Sequence, residues 1–108
     1  MEMKKSALKL EKGYYYHYKH DPKKDLANYS YEVIGIAMDT EDDTYSVIYR
    51  PLYEDASLAP AEYYSRPYEM FVGMVEKEGK RVPRFRRITD KKVIGVLEGI
   101  SGRMDMRE

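Results

Sequence analysis

Tyr29-Ser30-Tyr31-Glu32-Val33-Ile34-Gly35-Ile36-Ala37-Met38 decides the fold. This stretch is rich in aromatic and β-branched side chains, contains no proline, and reads as one long strand. Alternation puts Tyr31, Val33, Gly35 and Ala37 on one face and Glu32, Ile34, Ile36 and Met38 on the other. Both faces are mostly apolar, so the strand is central to its sheet.

Downstream, Asp39-Thr40-Glu41-Asp42-Asp43 is a polar turn, and Thr44 to Arg50 resumes a β pattern, which gives an antiparallel hairpin. Tyr45, Val47 and Tyr49 face one way, Ser46, Ile48 and Arg50 the other, and Pro51 limits further pairing. Upstream, Tyr14 to Lys19 is a strand and His20 to Asn28 a loop. Residues 54–61 read as an exposed loop and Glu62 to Arg66 as a short strand. Pro67 starts one helical turn through Phe71. Val72 to Lys77 and Val82 to Ile88 flank a tight hairpin at Gly79. Residues 1–12 form a short helix or arm anchored by Leu8 and Leu10. After Asp90, the spacing of Val93, Ile94, Leu97 and Ile100 favours a short capped helix. Gly95 and Gly99 weaken it, an edge strand also fits, and Ser101 to Glu108 should fray.

These elements predict an all-β fold, a small partly open SH3-like barrel of five or six antiparallel strands with one short helical turn. Its boundaries are an N-terminal arm at 1–12, the barrel at 13–88 and a C-terminal extension at 89–108. One domain suits a chain of 108 residues. No apolar run approaches the roughly 20 residues of a spanning helix, and Met1 to Lys12 lacks a secretory apolar core, so the expectation is a cytoplasmic protein with no membrane partner. Without cysteine there is no disulfide, thiolate nucleophile or cysteine-type zinc site. The net charge is zero but uneven: Glu32 to Glu62 holds eight carboxylates against Arg50 alone, whereas Glu76 to Lys92 holds eight basic and three acidic residues. The segments either neutralise one another or leave a basic face for a phosphate-bearing partner.

Five ordered motifs carry a resemblance: Gly13 to Lys19, Tyr31 to Ala37, Tyr49 to Tyr53, Arg66 to Phe71 and Val82 to Phe85. Together they resemble the prokaryotic domain of unknown function family 1653, over residues 13 to 88. The resemblance implies an SH3-like barrel and supplies no reaction. The chain departs from that family's pattern at Tyr16, His20 and Asp39-Thr40-Glu41-Asp42, and carries Tyr64 where the family has tryptophan.

No phosphate loop, metal-binding helix motif or nucleophile elbow is present, and the residues call for no cofactor, no metal and no catalytic set. The candidate ligand-binding residues are His17, Tyr15, Tyr49, Arg50, Tyr64, Arg66 and Arg84. His17 shares a strand face with Tyr15 and Lys19; it is either a structural histidine or a ligand contact, since a general base needs a neighbouring proton donor that the sequence does not nominate. Arg50 and Arg66 stand beside prolines at strand ends, where a guanidinium forks onto a phosphate or onto a carboxylate such as Glu32, Asp39 or Glu41. Arg84, Arg86 and Arg87 suit nucleic acid or an edge strand guarded by charge. Twelve tyrosines against no tryptophan fill a small core, and Tyr15, Tyr18, Tyr49 and Tyr64 offer a stacking platform. The reading is an uncharacterised, non-catalytic binding module with an aromatic and arginine-lined groove for a peptide, nucleotide or nucleic-acid element. The alternatives are an enzyme or accessory domain acting on a small anion through His17, and a strand-pairing adapter.

Overall fold

The computed structural model describes residues 8–53 and 62–105. The fold is mostly β. Seven strands are β1 (Gly13–His17), β2 (Ser30–Asp39), β3 (Thr44–Pro51), β4 (Tyr64–Pro67), β5 (Met74–Lys77), β6 (Lys80–Pro83) and β7 (Phe85–Arg87). Two helices are α1 (Tyr68–Phe71) and α2 (Lys91–Asp105). β4-β3-β2-β1-β7 form one antiparallel sheet, and β5-β6 a separate two-stranded one. As expected, β2 is central, flanked by β1 and β3.

The expected face assignment of β2 holds only as far as Val33. Val33 opposes Tyr49, but Gly35 opposes Ile48, so a bulge at Ile34 shifts the register by one residue. Beyond it Ile36 sits opposite Val47 and Met38 opposite Tyr45, and these replace Gly35 and Ala37 on the face begun by Tyr31 and Val33.

That face packs Tyr15, Tyr31, Val33, Val47, Tyr49, Phe71 and Phe85 into one core. Phe71 and Phe85 stack with centroids 4.0 Å apart, which draws α1 and the edge strand β7 together. The opposite face packs Tyr16, Ala27, Leu52, Ile88 and Leu97, with Tyr14 and the apolar stripe of α2 against them.

Several boundaries move for local reasons. β1 ends at His17, two residues early, because the His20 N–H turns back to the His17 carbonyl. Pro67 closes β4 and precedes the first helical residue instead of occupying it. The single strand expected from Val82 to Ile88 is two strands. Pro83 has no N–H to extend the ladder, the Arg84 N–H bonds to Gly73, and Phe85 leaves to pair with His17. At the β5–β6 turn Glu78 and Gly79 both have positive φ, 54° and 79°, the primed geometry that glycine favours. The loop expected at 54–61 lies outside the described residues, as do residues 1–7 of the arm; Leu10 packs against the first core.

The tail corrects the expectation most. α2 runs 15 residues instead of fraying after Ile100. Asp90 caps it through Lys92 and Val93 N–H, as anticipated. Its far end is held by Arg50, which donates to Glu32 Oε1 from Nε at 3.0 Å, to Asp105 Oδ1 at 2.8 Å and to Ser101 Oγ at 2.7 Å. Ser101 in turn donates to Glu32 at 2.7 Å. These contacts offset the cost of three glycines in the helix.

Removing one member of a buried pair strands the other charge. Arg50→Met should therefore lower stability in urea melts by about 3 kcal/mol, with loss of helical signal from α2. Asp105→Asn, at the exposed end of the network, should cost under about 1 kcal/mol.

Candidate functional site

The first core opens at one end into a row of partly exposed aromatic rings. His17 is the last residue of β1, and its backbone N–H bonds to Tyr29 O at 2.9 Å across the strand pair. Its imidazole lies 4.4 Å from the Tyr18 ring and 5.6 Å from the Tyr29 ring, with Phe85 edge-on at 5.1 Å. Tyr29, held at a positive φ of 54°, meets Tyr53 at 5.5 Å, and Tyr53 meets Tyr31 at 5.5 Å with their hydroxyls hydrogen-bonded. Tyr49 stands beside Tyr31 and edge-on to Tyr64.

Cations rim this row. The Arg66 guanidinium lies 5.7 Å over the Phe85 ring and donates from Nε to Tyr49 Oη at 3.4 Å. Arg84 donates to Met70 O at 3.1 Å, and the Lys19 ammonium lies 6.0 Å over the Tyr18 ring. Burial, then the charges of Arg66, Lys19 and Arg84, push the His17 pKa down to about 4. His17 is therefore neutral near pH 7. Nδ1 accepts the Lys19 N–H at 3.1 Å, so the ring proton sits on Nε2 and makes it a donor. Burial likewise raises the Tyr31 and Tyr53 phenols, which stay protonated.

Of the sequence-nominated residues, His17, Tyr49, Tyr64, Arg66 and Arg84 gather here. Tyr15 belongs to the same core, fully buried, its hydroxyl donating to Glu11 O at 2.7 Å. Arg50 does not join them: it projects to the opposite face, into the α2 network. Tyr29, Tyr31 and Tyr53 were not nominated. The signal for Tyr31 was available, since it is the β2 residue on the face shared with Tyr49; Tyr29 heads the expected strand two residues before Tyr31 but lies just outside β2 with a positive φ, and Tyr53 lies beyond Pro51, the end of β3. Among the described residues no group of three or more His, Asp or Glu is arranged to hold a metal, and no helix is long and apolar enough to cross a membrane.

The chain belongs to the family described as "Protein of unknown function (DUF1653)", whose family model matches residues 13–87. It is similar to a protein of that family from Bordetella bronchiseptica whose crystal structure is solved: 26% identity, TM-score 0.58, with 77% of this chain and 96% of the other covered. No curated protein matches. α2 begins at Lys91, beyond the family match.

Because the unfolded chain protonates histidine near 6.5 and the fold does so only near 4, the unfolded state binds the extra proton in between. Stability should fall as pH drops from 6.5 towards 4, and His17→Gln should remove that part of the slope in pH-dependent urea melts. An NMR titration of His17 with a midpoint above 6 would contradict this electrostatic account.

Proposed function

We propose that this member of the DUF1653 family is a non-catalytic binding module, a partly open SH3-like barrel whose aromatic and arginine-lined groove takes a ligand bearing both a flat ring and a negative charge, as a nucleotide does. One observation carries the reading. Arg50 and Arg87 are paired with carboxylates, whereas Lys19, Arg66 and Arg84, which surround His17, make no ion pair among the described residues. Three cations around a half-buried neutral imidazole repel one another, and an anion would relieve that repulsion. A guanidinium can fork onto a phosphate, Nε2–H of His17 can donate to a phosphate or base oxygen, and the rings can stack with a base.

The chemistry at His17 favours binding over acid–base catalysis. Nδ1 is occupied by a backbone N–H and Nε2 already carries the proton, so neither nitrogen is a free base. No serine, threonine or carboxylate hydrogen-bonds to the ring among the described residues. The groove thus offers donors and ring faces but no activated nucleophile.

Isothermal titration of the full chain with AMP and UMP should give saturable binding, and Arg66→Gln should weaken it at least tenfold, about 1.4 kcal/mol, while circular dichroism and melting remain close to those of the parent. Unchanged affinity in a folded Arg66→Gln variant would reject the groove as the site.

A further inference from the structure

Resting on that reading, we infer that the groove's partner is a single strand of nucleic acid, with successive bases stacked on the row of rings at Tyr18, His17, Tyr29 and Tyr53 and phosphates held by Lys19, Lys77, Arg84 and Arg66. The argument begins with spacing. Tyr18, His17, Tyr29 and Tyr53 meet ring to ring in series, with neighbouring centroids 4.4 Å, 5.6 Å and 5.5 Å apart, so the row offers more ring surface than one base can cover. All four rings are only partly buried. A ligand that uses the whole row must carry at least two unpaired bases in sequence. A duplex hides its base faces in its own stack and cannot use them.

The positive charge is distributed on the same scale. Lys77 donates from Nζ to Tyr18 O at 2.8 Å, which ties the β5–β6 hairpin to the Tyr18 backbone. The Tyr18 N–H in turn bonds to Arg84 O at 2.9 Å, so the Arg84 backbone is tied to the same point. Arg66 lies beyond the imidazole on β4, over the Phe85 ring. Cations therefore come from the β1–β2 loop, the hairpin, the β6–β7 junction and β4, more than a single phosphate can engage. Within the hairpin Lys77 stands directly opposite Lys80, a like-charge pair that destabilises a ladder unless an anion bridges it. Glu76 opposes Arg81 and Glu78 occupies the turn, so the hairpin's net charge is modest and its contribution rests on Lys77, the residue that reaches the Tyr18 backbone.

The test is fluorescence anisotropy with a fluorescein-labelled twelve-nucleotide oligouridylate, the matching twelve-base-pair duplex and AMP as competitor, each at several salt concentrations. The single strand should bind at least tenfold more tightly than AMP and at least tenfold more tightly than the duplex. Tyr18→Ala should weaken it about tenfold, and Tyr18→Phe should restore it. Lys77→Gln, on the exposed strand β5, should reduce the slope of log K against log salt by about 0.7 with an unchanged melting temperature. A dodecamer no tighter than AMP, with both weakened by Arg66→Gln, would overturn the strand while leaving the binding module intact. Equal affinity for duplex and single strand, indifferent to Tyr18→Ala, would overturn it as charge attraction alone. Absence of binding by AMP and by the dodecamer would overturn both readings.

Discussion

Every element takes its position from the ladder that β2 makes with β1 on one side and β3 on the other. A strand paired along both edges cannot move without breaking two sets of backbone hydrogen bonds, and a slip of one residue would carry Tyr31 and Val33 out of one core and Glu32 into it. The bulge at Ile34 is the one place where the ladder yields. It lets the first half of β2 serve two packed faces while the second half, from Ala37 on, runs out into solvent with the acidic turn. Fully burying a side chain such as Phe71 or Val47 against this sheet is worth about 1.5–3 kcal/mol each, so the pairing that aligns them governs most of the stability.

The sheet also sorts the arginines. Neighbours along β3 and β4 project to opposite sides, and the consequence is electrostatic. On the α2 side Arg50 meets Glu32, Ser101 and Asp105 and is satisfied within the protein. On the other side Arg66 meets a phenol, the Phe85 ring and a neutral imidazole. The same residue type is therefore structural on one face and available on the other. Partners make the difference: Glu32 on β2 supplies one, and Ser101 and Asp105 come from α2, which lies outside the residues the family match covers.

Much of this was legible from local pattern. The central strand, the β2–β3 hairpin, the Gly79 turn, the helical turn at Phe71 and the cap at Asp90 each depend on residues within a few positions of one another, where φ preference, alternation and capping chemistry act directly. The shared face of Tyr15 and His17 follows from strand geometry alone. Glu32 as the partner of Arg50 was one of three carboxylates that charge made plausible, and cross-strand register selected it.

What tertiary structure alone decided has a common cause: contacts between residues distant in sequence outweighed local preference. α2 persists through three glycines because Ser101 and Asp105 reach Arg50, 51 and 55 residues away. The strand after Val82 divides because Phe85 gains more by stacking on Phe71 and pairing with His17 than by prolonging a hairpin. The aromatic row at His17 joins Tyr18, Tyr29 and Tyr53 from three separate segments, and alternation within any one of them cannot say that the three meet. The order of residues thus determined which strands could form and which side chains each would present. Only the packing of the sheet's two faces, by removing water from between those side chains, decided that Arg50 would be neutralised within the protein and that His17 would be held without charge.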